Sequence, residues 1–167
     1  MSGIGQYEAS YEYIPSFARK AYLVVFFRRC GLFFIFSAVL FAVGIVGLRS
    51  SDNAPVSFII FGIVTVLWSS WVGGYRASGR NAARLPDRAM RIALSDEALA
   101  VQSSWVTTSL RWAAIRVVFE ARGVCVLMRR DSFYYMAFPS SALTPDARDL
   151  LARKVREAGG RARLKER

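Results

Sequence analysis

Two stretches of this sequence carry no charged side chain: residues 31–48, GLFFIFSAVLFAVGIVGL, and residues 55–75, PVSFIIFGIVTVLWSSWVGGY. Each is close to the about 20 apolar residues that a helix needs to cross about 30 Å of hydrocarbon. A charge at the bilayer centre costs roughly 2.5–3.5 kcal/mol on insertion scales, so a membrane imposes this kind of segregation. A helix in a soluble core would show one polar face instead. The two runs therefore predict two transmembrane helices, joined by the polar turn Arg49, Ser50, Ser51, Asp52, Asn53 and Ala54. Pro55 suits the first turn of a helix, where its missing N–H is harmless. Trp68, Trp71 and Tyr75 crowd the far end of the second run, as an interfacial aromatic belt does. A cleaved signal peptide is disfavoured: the first run begins only at Gly31, lacks a nearby small-residue cleavage site and is followed by a second span.

Lys and Arg set the orientation. Arg19, Lys20, Arg28 and Arg29 precede the first run, and Arg76, Arg80, Arg84, Arg88 and Arg91 follow the second. The connecting turn has only Arg49, opposed by Asp52. The positive-inside rule then expects a multi-pass membrane protein with both termini in the cytoplasm. The net charge of +11 points to an anionic partner, either a membrane surface or a nucleic acid. Beside two spans, the membrane is the simpler reading.

Arg76, Arg80, Arg84 and Arg88 recur every four residues. If the second helix continues out of the membrane, they fall along one slowly drifting face. Two readings stand: an ordinary positive-inside flank with accidental spacing, or a stripe whose repulsion anionic headgroups offset by about 1 kcal/mol per side chain. In both, these arginines contact lipid. Pro86 limits how far a regular helix runs.

From Met90 the texture alternates. Residues 90–94, 98–102, 106–110, 115–120, 124–128 and 133–138 read as short strands, with turns at Ser95, Asp96 and Glu97 and at Ala121, Arg122 and Gly123. A helix follows, capped by Thr144, with Pro145 at its first position, Asp146 at its positive end, an apolar face of Leu150, Leu151 and Val155, and a stop at Gly159 and Gly160. Residues 161–167 are left as a basic tail. Residues 6–14, QYEASYEYI, alternate aromatic and polar, which predicts a half-buried strand. With both termini on one side of the membrane, that strand can join the later sheet. A helix then runs from Pro15 into the first span.

The expected fold class is an α+β membrane protein: a two-helix transmembrane hairpin with a small antiparallel β-barrel or bent sheet closed by a C-terminal helix. The expected organisation is an N-terminal strand and juxtamembrane helix (1–29), the hairpin (30–76), a basic linker (77–89), the cytoplasmic domain (90–160) and the tail (161–167).

The order of two spans, a basic linker, RIALSDEALAV, SLRWAAIRVVFEARGVCVLM, YYMAFPSSAL and a final DARDLLARKV helix resembles the YcxB-like family of bacterial membrane proteins. Trp112, Ile115, Val118 and Glu120 match its W-x-x-I-x-x-V-x-E segment. Ser140 stands where that family usually has lysine. The resemblance implies a cytoplasmic domain similar to pleckstrin-homology (PH-like) barrels. It implies no activity and no catalytic residues.

Enzymatic chemistry is disfavoured. The chain has no histidine, the commonest general base and metal ligand. Its few carboxylates are expected in turns, caps or on solvated strand faces. Ser103, Ser104, Ser140 and Ser141 have no base nearby in sequence, and turn chemistry explains them. No cofactor or metal site is expected. Cys30 and Cys125 are read as free thiols, because a bond between them would join the membrane edge to a domain in a reducing compartment. Nucleic-acid binding is also disfavoured. Tyr134 and Tyr135 beside Arg129 and Arg130 come nearest to a stacking platform, and they are read as a hairpin tip. Trp112 is read as a structural anchor of the core rather than a stacking residue for a ligand. The function expected is a non-catalytic, membrane-anchored binding or regulatory protein in contact with anionic headgroups. The alternative is an immunity protein that protects the envelope from a toxin.

Overall fold

The computed structural model describes residues 7–47, 54–104, 106–132 and 134–164. The strands and α-helices follow in the order β1 (Tyr7–Glu12), α1 (Pro15–Gly47), α2 (Ala54–Ala83), β2 (Ala89–Leu94), β3 (Ala98–Gln102), β4 (Thr107–Arg111), β5 (Ile115–Ala121), β6 (Val124–Arg129), β7 (Tyr135–Pro139), α3 (Pro145–Glu157) and β8 (Arg161–Arg163). Short 3-10 turns at Trp112–Ala114 and Ser140–Ala142 lead into β5 and out of β7. Residues 49–53 of the expected connecting turn, and Phe133 at the head of the expected last strand, lie outside the described residues.

The α+β class stands, and the closed barrel does not. The strands form two separate four-stranded sheets, ordered β1-β2-β3-β4 and β7-β6-β5-β8. The break falls where the Trp112–Ala114 turn interrupts the ladder, so that β5 starts a new sheet instead of continuing past β4. Among the described residues β4 and β7 therefore each keep one unpaired edge. Residues 161–163, expected in the tail, instead form β8, which adds in parallel to β5.

The two sheets and α3 share one apolar core. Alternate residues supply it: Met90, Ile92 and Leu94 from β2, Leu99 and Val101 from β3, Cys125 and Leu127 from β6, with Leu150, Leu151 and Val155 from α3. A register shift between Ile115 and Val117 lets both Ile115 and Val118 of β5 face this core, as a bulge does. The hairpin β5–β6 turns through Arg122 (φ 52°) and Gly123 (φ 73°), the left-handed pair that a two-residue turn requires. The expected N-terminal strand is present. β1 pairs antiparallel with β2, Tyr7 opposite Leu94 and Tyr11 opposite Met90.

The second sheet is covered on its other face too. Phe17, Ala21, Val24 and Val25 of α1 pack on Phe119, Val124, Val126 and Ala137. The segment of α1 ahead of its uncharged stretch is thus a stem to which the sheet domain is fastened. Beyond it, α1 and α2 lie antiparallel. The Tyr22 phenol leans on Gly74, the Arg19 guanidinium crosses Gly79, and Gly44 meets Ile60 and Phe61.

Candidate membrane-facing site

The helical hairpin has its polarity inverted. Ser37 and Ser57 are 1% and 2% exposed, while Leu32, Ile35, Phe36, Phe58, Ile59 and Val66 face outward, Leu32 at 83%. Close helix contact through small residues, with large apolar side chains outside, is the arrangement helices adopt in lipid. The segment Val56–Ala83 is long and apolar enough to cross a membrane, and only 11% of its apolar window is buried within the protein. In α1 the same test is met only by Pro15–Leu32 and Ile35–Gly47 taken together, and these two segments meet at 58°.

Aromatic rings collect at the end of this apolar zone nearest the sheets. Trp71 lies 6.3 Å from Phe26, 6.1 Å from Trp68 and 6.5 Å from Tyr75, measured between ring centroids. The Arg19 guanidinium sits 5.7 Å from the centroid of the Tyr75 ring. The arginines predicted to contact lipid begin just past this belt, and they do not share one helical face. Arg76 and Arg80 are exposed on α2. Arg84 is exposed in the turn that ends the helix, its N–H still bonded to Arg80 O. Arg88 lies beyond Pro86, half-buried, where its carbonyl accepts from Tyr13 N at 2.8 Å. The four-residue spacing therefore describes two arginines on α2, one at its end and one beside the sheet.

Trp112, the predicted anchor, is 6% exposed. Its indole N–H donates to the carbonyls of Ser95 and Asp96 at 3.2 and 3.1 Å, tying the β2–β3 turn to the start of β5. Asp96 also accepts from Lys154 Nζ of α3 at 2.7 Å.

Sequence reasoning placed the carboxylates on turns, caps or solvated faces, and Glu120 departs from that. Its side chain is 4% exposed and accepts from Arg148 Nη1 at 2.9 Å. Arg148 Nε donates to Leu143 O at 3.3 Å, and its Nη2 donates to Ser140 O. One arginine thus links β5, the turn after β7 and α3. Period two was the available signal, since Glu120 stands two residues after the core residue Val118. Cys125 lies opposite Glu120 in the register. Burial, then the nearby Glu120 carboxylate, raise its thiol pKa, which makes it a poor nucleophile. Cys30 is half-buried, and both cysteines are free thiols.

Between the open edges of β4 and β7 lies a cleft of about 570 Å³, walled by Thr108, Ser109, Arg111, Arg129, Tyr134 and Met136. Among the described residues no group of three His, Cys, Asp or Glu is arranged to hold a metal ion.

No family model, curated protein or solved structure matches this chain.

Proposed function

We propose that this chain is a bacterial inner-membrane protein whose α1–α2 hairpin spans the bilayer, with both termini in the cytoplasm. Its sheet domain acts as a non-catalytic binding or regulatory module held at the membrane surface. The observation that carries this reading is the inverted hairpin, with serines between the helices and large apolar side chains outward. In water so many large apolar side chains facing outward side by side would form an aggregation site. The aromatic belt at Trp68, Trp71 and Tyr75 and the arginines that follow it fit a cytoplasmic interface.

The resemblance of Trp112, Ile115, Val118 and Glu120 to the YcxB-like pattern supports placing the chain beside that family, and it rests on those motifs alone. A binding role is supported by the cleft with a free strand edge on each side and Arg111 and Arg129 on its walls. The buried carboxylate of Glu120 is committed to Arg148, which leaves it poorly placed for acid–base work.

Cysteine labelling in intact cells tests the topology, in a background with Cys30 and Cys125 replaced by Ala. An impermeant maleimide should modify Ser51→Cys from outside and leave Arg167→Cys untouched until the cells are opened. The reverse pattern inverts the model, and complete extraction of the protein by alkaline carbonate removes it from the membrane altogether.

A further inference from the structure

Phe17, Ala21, Val24 and Arg28 follow one another along the stem of α1 at spacings of four, three and four, which places them on one face of the helix. The first three pack on the second sheet. Arg28 ends the series with its guanidinium carbon 3.9 Å from the centroid of the Phe119 ring. That contact holds the cation in place over the ring, as stacking on an aromatic face does.

β8 brings two more arginines to the same face. In the parallel pairing Val117 stands opposite Arg161 and Phe119 opposite Arg163. Val117 and Phe119 both belong to the cluster under α1, whereas Ala162 and Leu164 pack on the opposite, core side. Arg161 and Arg163 therefore project towards α1, and both are exposed. Among the described residues none of Arg28, Arg161 and Arg163 makes an ion pair. Burial, then the charge of Arg163, lower the pKa of Arg28, consistent with two like charges brought near each other.

The direction of the strands adds the second half. Lys20 Nζ approaches Gly123 at one end of the stem, and Arg28 covers Phe119 at the other. β5 thus runs away from the apolar zone, and β8, parallel to it, presents Arg161 on the side nearest that zone. Arg28 itself is three residues, about 4.5 Å of helix rise, before Gly31. Phe26, two residues earlier, already neighbours Trp71 of the aromatic belt.

We propose that Arg28, Arg161 and Arg163 form a phosphate-binding site that takes the headgroup phosphate of an anionic lipid. This inference rests on the membrane reading above and names a ligand for a surface separate from Arg76 and Arg80. Guanidinium forks match phosphate oxygens geometrically, and a phosphate between them relieves the repulsion of the cluster. Occupancy pins β8, and through it β5, to the bilayer surface.

The test uses the full chain in mild detergent, titrated with short-chain phosphatidylglycerol, phosphatidylcholine or inorganic phosphate and read by native mass spectrometry. Phosphatidylglycerol should bind more tightly than phosphatidylcholine. Arg28→Gln and Arg163→Gln should each weaken phosphatidylglycerol binding roughly fivefold. Arg28→Lys should keep part of the affinity, and Arg91→Gln, on the outer face of the first sheet, should keep all of it. Equal affinity in Arg163→Gln and Arg91→Gln overturns the site; thermal melts establish that both variants are folded. Equal binding of the two lipids together with displacement by millimolar inorganic phosphate overturns the lipid assignment and leaves a free-phosphate site. Carbonate extraction of the unmodified chain separates a failure of the membrane reading from a failure of this site.

Discussion

Glu120 and Arg148 form an ion pair at 2.9 Å inside the sheet domain, with the guanidinium also held by two backbone carbonyls. Removing one member of such a pair leaves the other charged and buried. Glu120→Ala should therefore destabilise the protein by about 3–5 kcal/mol. The double variant Glu120→Leu/Arg148→Met should cost clearly less than the two single losses added together. Denaturant unfolding in detergent, followed as a double-mutant cycle, checks both statements, and strict additivity would sink them.

Tyr7 joins the first strand to the last helix. Its hydroxyl donates to Ala142 O at 2.9 Å and accepts at 3.2 Å from the N–H of Thr144, the residue that caps α3. Tyr7→Phe should lower stability by about 1–3 kcal/mol, since each net hydrogen bond contributes about 0.5–1.5 kcal/mol. Hydrogen exchange should speed up at Ala147 and Arg148 in the first turn of α3 before it does elsewhere. Uniform acceleration across the domain would argue against this local link.

Alkaline pH should weaken the fold through its tyrosines. Burial first, with Tyr13 adding to it at Tyr11, raises the pKa of Tyr11, Tyr13 and Tyr135 above the usual tyrosine value. An acid whose folded-state pKa exceeds its unfolded one stabilises the fold below the unfolded value and loses that contribution as pH rises. Stability should begin to fall gently from about pH 8, as the unfolded Cys125 thiol titrates, and should fall more steeply above about pH 10. Replacing Tyr11, Tyr13 and Tyr135 together by Phe should flatten the steeper part. An unchanged slope between pH 9.5 and 11.5 would mean that another group controls it.

Gly160 controls the last strand. A Cβ there would stand 2.7 Å from Val155 Cγ1 and 2.9 Å from the carbonyls of Ile115 and Val155, two of these being backbone atoms that cannot swing aside. Gly160→Ala should cost about 1–3 kcal/mol as an overpacked site and should loosen β8. Trypsin cleavage at Arg161 and Arg163 measures the loosening, and native resistance in the variant would refute it.

The strands β1, β2 and β3 were legible because their burial alternates residue by residue. Tyr7, Ala9 and Tyr11 against Glu8, Ser10 and Glu12 were enough to place β1. β6 is different. VCVLM is a continuous apolar run because α1 covers one face and α3 with the first sheet covers the other. The run told of burial on both sides, but not of what lay there. The helical spacing of Phe17, Ala21 and Val24 was the unused clue. β8 was illegible for another reason: Arg161, Ala162 and Arg163 bury almost nothing of their own and take their conformation from the edge of β5. The barrel failed at Trp112–Ala114, where a single turn of 3-10 helix is invisible to a two-residue period. Of the arginine series, the spacing was visible, and the end of the helix at Ala83 split it.

β1 and β2 are neighbours in space, yet the whole of α1 and α2 separates them in the chain. The first sheet is in effect interrupted by an insertion, and its first strand leaves the ribosome long before its partner. During synthesis Tyr7, Tyr11 and Tyr13 must wait without β2 until both helices have been made, and under the topology proposed above the polypeptide must also have returned to the side it started from. Under that topology, a molecule whose second helix failed to come back would leave β1 and β2 on opposite sides, with the β2 edge that carries Ile92 and Leu94 unpaired. Under the proposed topology, completion of the first sheet would then report that both helices had been threaded.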